Sequence, residues 1–220
     1  MSGKIFLAGG GSPEESVEID KSFKECLVNN PKVIFISLAR SPEKREKSIK
    51  WFKEIYSFTE VLHLESSEQL NKKELINFDC IYICGGNTFR LLDNLSRSGI
   101  LKILKDFNKL GKPIYGGSAG AIILGKRIDT AKHLDENVIG RLDFNGLDFL
   151  NGFSIVCHYK EQDKEIIKNY AKTRILCLPE DAGIIVEGNY VKVLGNNCLF
   201  MLNEEEKILE VDKTYNLKEL

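Results

Sequence analysis

The stretch Pro113-Ile114-Tyr115-Gly116-Gly117-Ser118-Ala119-Gly120-Ala121-Ile122-Ile123-Leu124 reads as an apolar strand, a Gly-x-Ser-x-Gly turn and a run of small helix formers. That strand–turn–helix order is the context a nucleophilic serine requires. The hydroxyl must stand on a tight turn, where flanking glycines remove side chains that would collide. The helix that follows turns free amides toward the serine, so the Ala119 N–H is a donor for an oxyanion. Taken alone, the pentapeptide is equally compatible with a turn that binds phosphate or merely packs closely.

Upstream, Cys80-Ile81-Tyr82-Ile83-Cys84-Gly85-Gly86-Asn87-Thr88-Phe89-Arg90-Leu91-Leu92 is a second strand ending in glycines at a helix start. Adjacent parallel strands deliver their C-terminal ends to one edge of a sheet, where ligands bind. Gly85 and Gly86 therefore offer a second backbone N–H to the same oxyanion. Asn87 joins them at the crevice, and Asn87 or Thr88 is also positioned to cap the next helix. Two glycine-tipped strands facing one crevice favour a site over simple packing.

Further outward the pattern alternates. Strands are predicted at Lys4–Ala8, Lys32–Leu38, Glu60–Leu64, Cys80–Cys84 and Pro113–Gly117. Helices are predicted at Glu14–Val28, Pro42–Phe58, Thr88–Leu95 and Ile100–Leu110. Ser12-Pro13-Glu14-Glu15 and Ser41-Pro42-Glu43 read as helix starts, and Gly111 before Pro113 as a helix end. This alternation predicts an α/β fold with a parallel sheet covered on both faces. Gly125–Asn151 is polar and weakly periodic, a long loop or short helices near the site. Phe153–His158 and Arg174–Leu178 are strands around a helix across Gln162–Lys172. Gly183–Val186, Tyr190–Leu194, Cys198–Leu202 and Lys207–Val211 read as an antiparallel meander closing one edge of the sheet. Without linker, repeat or low-complexity segment, residues 1–220 are expected to form one domain.

Composition narrows the function classes. Lys and Arg number 31 against 32 Asp and Glu, so no large single-sign field points to nucleic acid or anionic membrane. One lysine and four apolar residues precede Gly9-Gly10, too short for a signal-peptide core. The expectation is a soluble, cytoplasmic protein. Six cysteines lie in apolar strand-like runs or, for Cys26, on a helical pattern, with no C-x-x-C pair and no zinc spacing. They are expected to be buried reduced thiols, with no metal and no cofactor.

A nucleophilic serine needs a base, and the chain has three histidines. His63 lies inside Val61-Leu62-His63-Leu64 and reads as structural; His133 sits in a polar loop. His158 ends the strand Phe153–Cys157 and opens a polar turn, where a strand presents a catalytic side chain, and is favoured as the base. Asp129, Asp135, Glu136, Asp143 and Asp148 all fall between serine and histidine as acids able to steady the imidazole.

Gly85-Gly86-Asn87-Thr88-Phe89 with Leu91-Leu92, Gly117-Ser118-Ala119-Gly120-Ala121 and a strand ending in His158 together resemble the peptidase E family of serine peptidases, with cyanophycinase a more distant relative. Leu178-Pro179-Glu180-Asp181-Ala182-Gly183 and Val193-Leu194-Gly195 resemble the family's C-terminal part. The resemblance implies a three-layer, flavodoxin-like sandwich similar to class I glutamine amidotransferases, with serine in place of cysteine. It implies a Ser-His-acid triad of Ser118, His158 and Asp135, with Glu136 and Asp129 as alternatives, and an oxyanion hole of Gly86 and Ala119 amides. It also implies dipeptidase-like cleavage of small peptides and a homodimer. Basic groups for a substrate carboxylate are expected after the histidine, yet Tyr159-Lys160-Glu161-Gln162-Asp163-Lys164-Glu165 mixes signs and has no arginine, so side-chain specificity stays open. Two rivals share the fold: a non-catalytic or amidotransferase-like module binding a small metabolite, and an esterase or amidase using the same residues.

Overall fold

Five short apolar runs form the parallel strands Ile5–Ala8 (β1), Lys32–Ile36 (β2), Glu60–His63 (β3), Cys80–Ile83 (β4) and Ile114–Gly117 (β5). They pair in the order β1-β5-β4-β2-β3. The computed structural model that gives this arrangement describes residues 3–170, 174–202 and 205–220. Alternate residues of each strand point to opposite faces. Ile5, Leu7, Ile34, Ile36, Ile81, Ile83 and Ile114 share one face, and Phe6, Val33, Phe35, Tyr82 and Tyr115 share the other.

Helices Val17–Glu25 (α1) and Pro42–Tyr56 (α2) cover the aromatic face with Ile19, Phe23, Phe52 and Tyr56. Thr88–Arg97 (α3), Ile100–Lys109 (α4) and Ala119–Leu124 (α5) cover the aliphatic face with Phe89, Leu95, Leu104, Phe107 and Ile123. The result is the expected three-layer α/β sandwich. Helix α2 starts at the predicted Ser41–Pro42 step. Helix α1 starts three residues later than predicted, because the Glu15 carboxylate folds back to accept from the Ser12 N–H at 2.7 Å and closes a separate turn.

The C-terminal third departs from the expected meander. Phe153–Val156 (β6), Arg174–Cys177 (β7), Gly183–Glu187 (β8), Tyr190–Leu194 (β9), Cys198–Leu202 (β10), Glu205–Leu209 (β11) and Thr214–Asn216 (β12) divide between two sheets. β8, β9 and β12 extend the main sheet antiparallel from β1, whereas β11-β10-β7-β6 form a separate four-stranded sheet. The sequence of β10 explains the split. Cys198 and Phe200 bury into the main core while Leu199 and Met201 pack with Val156, Ile167 and Ile175. A strand apolar on both faces needs cover on both, which an edge of the main sheet does not supply. The helix predicted over Gln162–Lys172 is a 3-10 turn at Glu161–Asp163 followed by Lys164–Tyr170 (α6), and its predicted end lies outside the described residues.

All six cysteines are free, and Cys80, Cys84, Cys157, Cys177 and Cys198 are buried, their thiols pushed up by burial, that of Cys198 to about 12. Cys26 corrects the expectation: it follows the last turn of α1 and is exposed. Among the described residues no helix is long and apolar enough to cross a membrane, and no cluster of His, Cys, Asp or Glu is placed to hold a metal ion.

Candidate active site

The C-terminal ends of β1, β4 and β5 meet at one edge of the main sheet, and the turn after β6 joins them from the second sheet. Ser118 occupies the step from β5 to α5 with φ 51° and ψ −114°, a conformation that side-chain-bearing residues rarely adopt. Packing on both sides enforces it. A Cβ at Gly116 would lie 2.6 Å from the Gly120 carbonyl, and one at Gly120 would run into the Ile83 carbonyl. The outer glycines of the pentapeptide let β5, α5 and β4 close around the serine.

His158 is also left-handed, at φ 54°. Its N–H donates to the Gly9 carbonyl at 2.9 Å, which ties the end of β6 to the end of β1. The imidazole Nε2 lies 2.8 Å from Ser118 Oγ. Its Nδ1 lies 2.8 Å from Glu180 Oε1. An ionised carboxylate only accepts, so Nδ1 carries the proton and Nε2 is free to accept from the serine hydroxyl. The bond from His158 holds the Glu180 carboxyl below its usual range.

The carboxylate that meets the His158 imidazole is thus Glu180, not the expected Asp135. Asp135 Oδ2 accepts from the Thr88 N–H at 2.8 Å, at the start of α3, where unpaired amides and the helix dipole favour a carboxylate. Of the alternatives, Asp129 is held in a two-pronged pair by Arg127, with its closest contact 2.7 Å. Glu136 is exposed and offers its backbone carbonyl to Asn87 Nδ2 at 2.9 Å. Glu180 comes from the turn Leu178–Gly183 between β7 and β8, and its carbonyl accepts from the Gly11 N–H at 3.2 Å.

Gly85 abuts the serine: a Cβ there would stand 3.2 Å from Ser118 Cβ and 3.7 Å from its Oγ. Gly86 has φ 142° and packs on Ala39, which leaves room for no side chain. The Ala119 N–H opens α5 and has no preceding carbonyl in helical register. Asn87 is corrected from the crevice to the scaffold, since its Oδ1 accepts from the Arg90 N–H at 2.9 Å and its Nδ2 is held by Glu136. Of the other histidines, His63 bonds Ser37 Oγ at 2.8 Å and His133 Nδ1 bonds the Thr130 carbonyl at 2.8 Å.

Gly10 went unassigned in the sequence. Its φ is 107°, and a Cβ would collide with the His158 imidazole and stand 3.0 Å from Ser118 Cβ. The signal was present as Gly9-Gly10-Gly11 at the tip of β1, a third glycine-tipped strand. Ser118, His158 and Glu180 open into a cavity of about 1040 Å³. Arg40, Lys44, Lys47 and Lys160 line it. Most of its basic groups thus come from β2–α2 rather than from the segment after His158.

The family model described as Peptidase family S51 matches residues 5–194. An uncharacterized peptidase of Pasteurella multocida (strain Pm70) is 32% identical over 140 residues, 60% of this chain and 65% of that protein. The chain thus matches a little under two thirds of that relative's length. A Peptidase E of Shewanella denitrificans (strain OS217 / ATCC BAA-1090 / DSM 15013) is 34% identical over 161 residues, 67% of each chain. The crystal structure of a peptidase from an acI-B1 Actinobacterium superposes with a TM-score of 0.74 at 17% identity, covering 98% of this chain and 97% of that one. At that identity the likeness concerns the fold.

Proposed function

Because the chain belongs to peptidase family S51, we propose that it is a serine peptidase that hydrolyses small peptides through Ser118, His158 and Glu180. The observation that carries this reading is the unbroken relay from Ser118 Oγ through His158 to Glu180, with both hydrogen bonds 2.8 Å long and opening into the cavity. His158 Nε2 takes the hydroxyl proton as Ser118 attacks the peptide carbonyl, and Glu180 steadies the imidazolium that forms. The amides of Ala119 and of Gly86 or Gly85 receive the oxyanion. His158 then protonates the leaving amine, and water, deprotonated by the same imidazole, releases the acyl group. The basic side chains in the cavity suit a substrate that carries a carboxylate close to its scissile bond.

A fluorophosphonate probe tests the nucleophile directly. The folded protein should label, and Ser118→Ala should not. Labelling that persists in Ser118→Ala, or none in the folded wild type, overturns the reading. Screening a dipeptide library beside simple esters and amides then defines the substrate, and turnover confined to esters would replace peptidase by esterase.

A further inference from the structure

Beside Ser118 the cavity reaches a buried carboxylate that the relay does not use. Asp20, on α1, is 9% exposed and lines the cavity together with Ser16, Tyr82 and Tyr115. Its Oδ1 accepts from Tyr115 Oη at 2.5 Å and its Oδ2 from Ser16 Oγ at 3.0 Å. Both donors are neutral; burial pushes the Tyr115 hydroxyl well above its ordinary range, so it stays a donor. Among the described residues no lysine, arginine or histidine comes within ion-pair distance of Asp20. A carboxylate has about four acceptor sites, and a buried charge normally has a partner of opposite sign.

The surroundings join this carboxylate to the nucleophile. Tyr115 lies on β5, on the strand face shared by Gly117, the residue before Ser118. A Cβ on Gly117 would stand 3.7 Å from Tyr115 Cε1 and 3.9 Å from Tyr82 Oη, so the missing side chain leaves the way open from Ser118 to the tyrosines. Tyr82 and Tyr115 stack with centroids 4.5 Å apart and planes 9° apart. Aromatic faces and phenol oxygens favour a cation over an anion. Arg40, Lys44 and Lys47 line the same cavity from exposed positions on its α2 side. Of the acids that line the cavity Asp20 is the buried one, Asp135, Asp163 and Glu180 being half-buried, and the basic groups of the α2 side stand exposed.

We infer that Asp20 is a specificity-determining residue that receives a substrate ammonium group in this side pocket. The inference rests on the peptidase reading for its substrate and on the pocket alone for its binding chemistry. The ammonium has two sources, a free peptide amino terminus or a lysine side chain.

Calorimetric titration with three small probes separates them: alaninamide carries the terminal ammonium, N-acetyl-lysinamide the side-chain ammonium, and N-acetyl-alaninamide neither. One of the two cationic probes should bind wild type at least about tenfold more tightly than the neutral one, and Asp20→Asn should erase that preference. In that variant Oδ1 still accepts from Tyr115 while Nδ2 donates to Ser16 Oγ, the Ser16 hydroxyl turning to the Ser12 carbonyl 3.1 Å away. The probe that wins identifies the source. Equal binding of all three, or a preference that survives Asp20→Asn, overturns the inference. If Asp20→Asn does not fold, Asp20→Glu must reduce the same preference at least about threefold, and an unchanged preference sinks the idea. Titration needs no turnover, so failure here is separate from failure of the Ser118 labelling.

Discussion

Among the described residues, two serine–histidine hydrogen bonds have the same length, 2.8 Å, in different surroundings. Ser37 lies just past the end of β2 and is completely buried, and His63 ends the edge strand β3. Burial lowers the His63 imidazole below its ordinary value, against the pull of the nearby Glu65 charge. No substrate reaches that serine. Ser118 instead sits on a strained turn, partly exposed, over a large cavity, with a carboxylate bonded to the far side of its histidine. The pair alone does not make a nucleophile. Access and a third group that fixes the tautomer separate the two sites, and they arise because three glycine-tipped strands end at one place.

Removing the reacting groups should split the pairs most widely. Ser118→Ala or His158→Ala is expected to lower kcat on a responsive dipeptide by roughly 10⁴–10⁶-fold. Ser37→Ala should leave kcat within about threefold and instead lower stability by ~1–3 kcal/mol, because His63 loses its buried partner. A denaturation curve beside a kinetic assay reads both, and a Ser37→Ala variant as inactive as Ser118→Ala would erase the distinction.

The carboxylates should differ next. Glu180→Gln is expected to reduce kcat by about 10³–10⁴-fold, the scale of losing the acid of such a relay. Glu65→Gln should not change it. Asp135→Ala should cost ~1 kcal/mol of stability through the lost contact at the start of α3 while sparing most activity. If Asp135→Ala rather than Glu180→Gln abolished turnover, the assignment of the third residue would be reversed.

A smaller effect is expected from Gly10→Ala. Its new methyl displaces the His158 ring, and misplacement of that kind costs on the order of 10²-fold in kcat. Steady-state kinetics on the folded variant checks it. An equal loss in Ser118 labelling rate would locate the damage in the relay rather than in substrate binding.

The smallest effect is in the pH dependence of stability. The folded value of His63 lies below its ordinary 6.5, so between those values the unfolded chain binds a proton that the folded chain does not. Stability then rises with pH across that window and falls as pH drops through it. Glu180 has a folded value below its ordinary 4.5. It stabilises the fold above that ordinary value and loses its contribution only as pH falls through the lower, folded one. Melting temperatures measured from pH 7 down to pH 4 should flatten in the His63→Asn variant over the upper window, and an unchanged slope would remove His63 from the explanation.

Much of this was legible in the chain before it folded. Buried parallel strands announce themselves as short apolar runs, and the turn at Ser118 requires small residues that sequence displays directly. The place of His158 at a strand end followed from the same local pattern. Cys26 and the start of α1 were misread because a helical repeat does not mark where a turn ends, and Glu15 reaches only three residues back to form one.

What the amino-acid order determined by itself was therefore the five parallel strands and most of the helices, the tight turn at the serine and the glycines around it. These depend on neighbours a few residues apart, through steric limits and burial periodicity. The partner of His158 was decided by tertiary structure alone. Carboxylates are plentiful in polar turns, and the one that meets the imidazole is chosen by how the β7–β8 turn closes beside the end of β6, which brings together His158 and Glu180, 22 residues apart in the chain. The same holds for Asp20, whose burial beside two neutral hydroxyls exists only once α1 has docked on Tyr115.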